Sequence, residues 1–252
     1  MEKLTALIPT GNEIHNIKEV IASVDFADEI LVVDSYSNDG TYEVAKKLAD
    51  RVIRREYKYS ASQKNWAIPQ AKYEWILLVD ADERVTPELK KEILEILKNP
   101  PQDQTVAYSI GRKNHFMGKH VKHSGWKNDK VTRLFKKSKC RYENKHVHAE
   151  IIADGKVKKL NSKFYHNTYI TIDKFLEKMN RYAWWQAKDY DKKIGRLTPY
   201  HFIIKPMYSF FKHYIMQGGF RDGVVGLTIA YIHGYTVFMR YVKVWLLRRD
   251  RK

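Results

Sequence analysis

Trp75-Ile76-Leu77-Leu78-Val79-Asp80, followed by Ala81-Asp82-Glu83, is the stretch on which the fold turns. An unbroken apolar run ending in a carboxylate reads as a strand buried on both faces. Working outward, Leu4-Thr5-Ala6-Leu7-Ile8-Pro9 and Glu29-Ile30-Leu31-Val32-Val33-Asp34 have the same character, and Arg51-Val52-Ile53 is a brief further strand. Helical spacing links them. Ile14, Ile17, Val20, Ile21 and Val24 predict a helix over residues 12–24, and Thr41 is placed to cap a second helix running to Asp50. A third, over 61–72, is interrupted near Pro69, and Pro87 opens a fourth through Leu97. Strands alternating with helices predict a parallel α/β sheet over the first hundred residues. Such sheets bind ligands beyond the carboxyl ends of their strands. Three polar clusters occupy those ends here: Thr10–Glu13, Asp34–Asp39 and Asp80–Glu83.

The 252 residues carry 46 Lys+Arg against 29 Asp+Glu, a formal charge of +17, with 44% hydrophobic residues. That is too apolar for a disordered chain and too charged for a multi-span membrane protein. The single Cys140 excludes an internal disulfide and a multi-cysteine zinc site. The N-terminal MEKLTALIPTGNE has no basic segment leading into a long apolar one, so no signal peptide is expected. Residues 1–100 hold 14 basic and 18 acidic residues; residues 101–252 hold 32 and 11. The basicity therefore belongs to the later part. It points to a polyanionic partner: nucleic acid, an anionic membrane or a phosphorylated substrate.

The middle of the chain predicts shorter strands at 106–110, 130–135, 149–153 and 156–160, with an Asp154-Gly155 hairpin turn between the last two. From Asp173 the pattern is helical, aromatic and basic. The division expected is an α/β domain, 1–170, and a helical basic region, 171–252. Val224–Leu247 is mostly apolar but contains His233, Arg240 and Lys243, which fits a helix lying on a membrane better than one crossing it. An ordinary core helix with a basic face is the other reading.

Asp80-Ala81-Asp82 offers two carboxylates around a small residue at the binding edge, which suits Mg²⁺ or Mn²⁺ bridging diphosphate oxygens. Asp34 can accept from a nucleobase N–H or a ribose hydroxyl, or simply cap its loop. Lys64 can reach a phosphate, or be a helical surface lysine. His146, His148 and His166 are metal-ligand candidates, although an isolated histidine is more often structural. No glycine fingerprint of a dinucleotide or P-loop site is present.

Read in order, LIPTGNE, VVDSYSNDGT, SQKNWA and LLVDADE resemble the nucleotide-binding half of family 2 glycosyltransferases, which have the GT-A fold. Trp126, Arg133-Leu134-Phe135, Val147-His148, Asp154-Gly155, Phe164-Tyr165-His166 and the late GGFRDG at 218–223 extend the resemblance to the lipopolysaccharide inner-core β-glucosyltransferase-like branch. The resemblance implies a Rossmann-like, mostly parallel sheet flanked by helices, with a basic helical C-terminal extension. It implies inverting transfer of a hexose from a UDP-linked donor to a glycan or lipid-linked acceptor, with Mg²⁺ or Mn²⁺ as cofactor. Pro9, Thr10, Asn12 and Glu13 would line the base and ribose site, Asp34 would bind uracil or ribose, and Asp39 would support that loop. Lys64 would lie near the diphosphate, Asp80 against ribose or sugar, and Asp82 on the metal, with His148 as a further ligand. The family's common Glu-Asp base motif is absent. Asp129 is the first candidate for the base and Glu150 the second; Ala149 intervenes where the branch places an acid directly after the histidine. The expected location is the cytoplasmic face of the inner membrane, peripherally bound. A nucleic-acid-binding protein and a GT-A-like nucleotidyltransferase are the competing readings. The acids at the strand ends oppose the first of these.

Overall fold

The computed structural model describes residues 1–145, 149–169 and 171–251. They form two compact units: Met1–Lys113 with Asp129–His166, and Asn114–Asn128 with Asn167–Lys252.

The first unit opens with β1 (Leu4–Thr10), α1 (Ile14–Ser23), β2 (Glu29–Asp34), α2 (Thr41–Leu48), β3 (Arg51–Arg54), α3 (Ser60–Ala67) and β4 (Trp75–Leu78). A short 3₁₀ turn, Ile68–Gln70, follows α3, because Pro69 has no amide hydrogen to continue the α-helix. Then come β5 (Glu83–Arg84), α4 (Pro87–Lys98) and β6 (Thr105–Phe116), with Thr86 Oγ1 capping α4 at the Leu89 N–H. β7 (Lys119–His120), β8 (Lys130–Lys136), β9 (Cys140–Tyr142), β10 (Ile151–Ala153) and β11 (Lys156–Tyr169) complete the strands. Among the described residues the main sheet runs β3-β2-β1-β4-β8-β6-β11-β5. β3, β2, β1 and β4 are parallel; β8 is antiparallel to both β4 and β6.

Alternation sorts the side chains of these buried strands between two faces. Leu4, Ala6 and Ile8 of β1 join Trp75 and Leu77 of β4 beneath α1 and α4. Leu7 joins Ile76 and Leu78 on the opposite face, with α3, Phe135 and Tyr142. With helices on one face and a helix plus the β9–β10 pair on the other, apolar runs such as WILL are buried throughout.

Two local expectations are corrected. Thr41 does not cap α2. Gly40, at φ 93°, is the cap, and the Thr41 hydroxyl instead donates to Asp39 and accepts the Glu13 N–H. Asp154-Gly155 does not close a hairpin between the strands it joins, since β10 pairs antiparallel with β9. Gly155 lies at φ +148°, and a Cβ there would press on the Gln104 carbonyl and Val106. The turn is set by that close approach rather than by a two-residue hairpin.

The second unit holds α5 (Ile172–Lys193), α6 (Pro199–Phe202), α7 (Ile204–Phe211), a π-helical turn at Lys212–Met216 and α8 (Gly223–Arg249). It includes Asn114–Asn128, so it is more than the C-terminal stretch expected from 171 onward. The reason is physical. The Asp222 carboxylate accepts from the Lys122 and His123 N–H groups and the Ser124 hydroxyl. Phe116, Val121 and Trp126 also pack with Phe175, Met179 and Ile229. No helix among the described residues is long and apolar enough to cross a membrane.

Candidate active site

Register places the polar strand ends side by side. Thr10 pairs with Asp34, Asp34 with Arg54, and the Val79 N–H donates to the Leu7 carbonyl, so β4 delivers Asp80 to the same edge. At that edge the Asp34 carboxylate is fully buried, accepts from the Ser37 N–H at 3.1 Å and pairs with Arg54 Nε at 3.2 Å. Arg54 in turn stacks over Tyr42, 3.4 Å from the ring centroid. Asp34 thus shapes the 35–39 loop. Asn12 braces that loop by donating its N–H to Ser37 Oγ and accepting the Asn38 N–H, and Asp39 fixes it by accepting the Ile14 and Thr41 N–H groups. Glu13 accepts from Asn16. Pro9 lies beside Val33. Thr10 Oγ1 and, on α3, Gln63 Oε1 are buried with no hydrogen-bond partner among the described residues. Orphaned polar atoms at a ligand edge mark where a polar group is expected to arrive.

Asp80 is the hub of a second cluster. Its Oδ1 lies 3.0 Å from Lys64 Nζ, its Oδ2 meets Arg133, and Arg112 is 3.8 Å away. Glu83, wholly buried, accepts the Asp80 N–H at 3.0 Å, Arg112 Nε at 2.7 Å and Arg133 at 3.4 Å. Arg133 also donates to the Tyr142 hydroxyl at 3.1 Å. Arg112 reaches the Asp129 carboxylate at 3.5 Å, while its N–H donates to the Asp129 carbonyl. Burial pushes the Asp80 carboxyl up, but Arg133, Lys64 and Arg112 outweigh it and hold the group far below the usual carboxylate range. Burial opposes the charge on Arg133, and Asp80 and Glu83 overcome it. Asp80 and Arg133 therefore carry full charge at neutral pH.

Asp82 faces elsewhere. His166 pairs with Glu83 across β11 and β5, which sets its Nε2 3.3 Å from Asp82 Oδ2. Asp82 keeps 28% of its side-chain surface exposed. A carboxylate oxygen and an imidazole nitrogen suit Mn²⁺, and Mg²⁺ on the oxygen side; diphosphate oxygens and water would complete either shell. The donor set therefore fits a divalent cation shared with a nucleotide. Among the described residues no group of three His, Cys, Asp or Glu forms a cage from protein alone. His148, the ligand expected from sequence, lies outside the described residues, as does His146.

The structure thus gathers Lys64, Asp80 and Asp129 into one network, with Asp82 beside it. Glu150 is exposed on the β9–β10 side, where its backbone pairs with Glu143. Arg112 and the depth of Glu83 are not legible in the sequence alone. Arg112 sits in Gly111-Arg112-Lys113-Asn114, among basic residues that look alike until the strand is placed.

The sequence model described as Glycosyl transferase family 2 matches residues 5–152. The chain belongs to glycosyltransferase family 2. An uncharacterized glycosyltransferase of Rickettsia conorii is 30% identical over 96% of this chain and 90% of its own length. The lipopolysaccharide core biosynthesis glycosyltransferase LpsC of Rhizobium meliloti is 26% identical over 96% and 92%. Among solved structures, the mannosyltransferase PcManGT of Pyrobaculum calidifontis, in complex with GDP-Man and Mn²⁺, superposes with a TM-score of 0.55 at 15% identity, covering 97% of this chain and 87% of that one. The fold of this family 2 glycosyltransferase is GT-A. Membership of the family replaces the nucleotidyltransferase reading.

Proposed function

We propose that this family 2 glycosyltransferase moves a hexose from a UDP-linked donor, with inversion, to a glycan or lipid-linked acceptor such as a lipopolysaccharide core. The observation that carries the reading is the convergence of Lys64, Asp80, Arg133 and Asp129 on the carboxyl edge of the parallel strands, with Asp82 half-buried beside them. Pro9, Thr10, Asn12 and Glu13 line the base and ribose side. Asp34 and Asp39 hold the loop that closes it, and the orphaned Thr10 hydroxyl supports a polar ligand there.

The acceptor hydroxyl oxygen attacks the anomeric carbon from the face opposite the diphosphate. A new C–O bond forms, the bond from that carbon to the diphosphate oxygen breaks, and the bonding pair leaves with the diphosphate. Asp129 takes the hydroxyl proton. Lys64 and Arg133 lie where negative charge grows on the leaving group. Asp82 with His166, and His148 as the ligand expected from sequence, would hold Mg²⁺ or Mn²⁺, which supplies further positive charge to the departing diphosphate when bound. The basic second unit, with 19 Lys+Arg against 6 Asp+Glu, supports peripheral contact with an anionic membrane on its cytoplasmic side. The relation to LpsC supports a lipopolysaccharide acceptor.

The test is a panel of UDP- and GDP-sugars with Mn²⁺ or Mg²⁺, read as nucleoside diphosphate release with and without acceptor. Release from a UDP-hexose supports the reading. Release only from GDP-sugars moves the donor, and release from none overturns it.

A further inference from the structure

One surface of the second unit is left unused by this chemistry. α7 and α8 form an antiparallel hairpin joined through Gly218–Asp222. Its inner side is packed. Lys205 donates to the Tyr241 hydroxyl at 2.9 Å, and His213 stacks on His233 at 4.1 Å. Another flank of α8 is tied to α5 through Arg240 to Gln186, Lys243 to Asn180 and Arg248 to Asp191. What remains exposed is apolar. On α8, Val224, Leu227, Tyr231, Tyr235 and Phe238 recur every three or four residues, which is one stripe of a helix. On α7, Ile204, Met207, Tyr208 and Phe211 do the same. Met207 is 63% and Tyr231 69% exposed, so these are not the margins of a core.

Charge decides what such a face meets. Between Asp191 and Asp250 the sequence holds ten Lys+Arg and a single acid, Asp222. That acid is spent internally on Lys122, His123 and Ser124. Lys212 and Arg221 are exposed, with Arg221 over the Phe220 ring, whereas Arg249 pairs with the exposed Asp250 at 2.9 Å. An apolar, tyrosine-bearing face bordered by Lys212 and Arg221 complements an anionic lipid surface. A second copy would bring like charges together. Crossing the bilayer is disfavoured because no helix among the described residues is long and apolar enough, and α8 commits one flank to α5.

We propose that the outer face of the α7–α8 hairpin docks on an anionic phospholipid bilayer, with Met207, Phe211 and Tyr231 entering the interfacial zone and Lys212 and Arg221 meeting lipid phosphates. The proposal rests on the membrane contact put forward above and deepens it by assigning the face.

The test is co-sedimentation of the full chain with vesicles of phosphatidylcholine mixed with phosphatidylglycerol, against phosphatidylcholine alone, across a salt series. Calorimetric UDP binding is measured in parallel. The wild type should bind the mixed vesicles at least about tenfold more tightly, with salt weakening but not abolishing binding, because the apolar contribution survives screening. Met207→Glu with Phe211→Glu changes only exposed side chains. It should lose at least about tenfold in vesicle binding at every salt concentration while keeping UDP binding. Lys212→Glu with Arg221→Glu should lose binding chiefly at low salt. No wild-type binding at low salt, or a Met207/Phe211 variant that binds as the wild type does, overturns the docking face. Vesicle binding without UDP binding overturns the donor reading alone. A wild-type dimer that the Met207/Phe211 variant dissolves, without vesicle binding, assigns the face to a second copy and overturns the proposal.

Discussion

Asp80 and Asp82 are separated by one alanine yet have different partners, and the roles proposed for them follow from that difference. Both side chains are partly exposed, but Asp80 is gripped by Lys64, Arg133 and Arg112, whereas Asp82 meets His166. Asp82→Asn should therefore abolish stimulation of turnover by Mn²⁺ while leaving thermal stability within about 0.5 kcal/mol. A variant still stimulated by Mn²⁺ removes Asp82 from the metal. Glu83→Gln should do the reverse. It leaves two buried arginines without their shared carboxylate and should cost about 3–5 kcal/mol, read from denaturant unfolding; a cost under about 1 kcal/mol contradicts the network. Asp129→Asn keeps the shape and removes the proton acceptor, so kcat should fall by about a hundredfold or more with the donor KM unchanged. Glu150→Gln showing that pattern in its place reverses the ranking. The pattern DAD reads as a pair of strand-end acids, but its split does not. The partners of Asp80 come from positions 64, 112 and 133, and only the folded sheet brings these together.

Elements are legible in the sequence where a local rule suffices. The apolar runs of β1 and β4, the proline opening of α4 and the glycine break ahead of α8 are all written in adjacent residues. Long-range pairing is not. β6 and β11 run well past the short strands expected, and β10 turns to β9, because partner strands rather than local propensity fix their extents. The α7–α8 hairpin carries two predictions. A Cβ on Gly226 would land on the Gly219 carbonyl, so Gly226→Ala should cost about 3 kcal/mol; an unchanged melting temperature contradicts that contact. Burial, helped by His213, pushes His233 from 6.5 down to about 3, and burial lowers His213 as well. Both rings are therefore neutral in the fold, while the unfolded chain takes up protons near pH 6.5. The unfolded state binds more protons between about pH 3 and 6.5, so this contribution is full above that window and is lost as pH falls through it. Melting temperatures at pH 5 and pH 7 should converge in His233→Phe relative to the wild type. An equal gap in both proteins contradicts the buried neutral pair.

At the scale of the whole molecule, the charge asymmetry is visible in the order of residues alone, and it follows the units: the second holds 19 Lys+Arg against 6 Asp+Glu. The membership of Asn114–Asn128 in that unit is not visible there. Its attachment combines the Asp222 carboxylate, about a hundred residues away, with the packing of Phe116, Val121 and Trp126 on Phe175, Met179 and Ile229. The acids at the strand ends, by contrast, announce a ligand edge, and the parallel register delivers them to one rim. This rim is proposed to bind a sugar nucleotide and to activate its diphosphate with a cation at Asp82. The most direct measurement is nucleoside diphosphate release from a UDP-hexose panel with Mn²⁺, comparing the wild type with Asp82→Asn. The wild type should release nucleoside diphosphate from at least one UDP-hexose, and the variant none above background. Equal release by both proteins, or none by a folded wild type across the panel, would contradict the proposal.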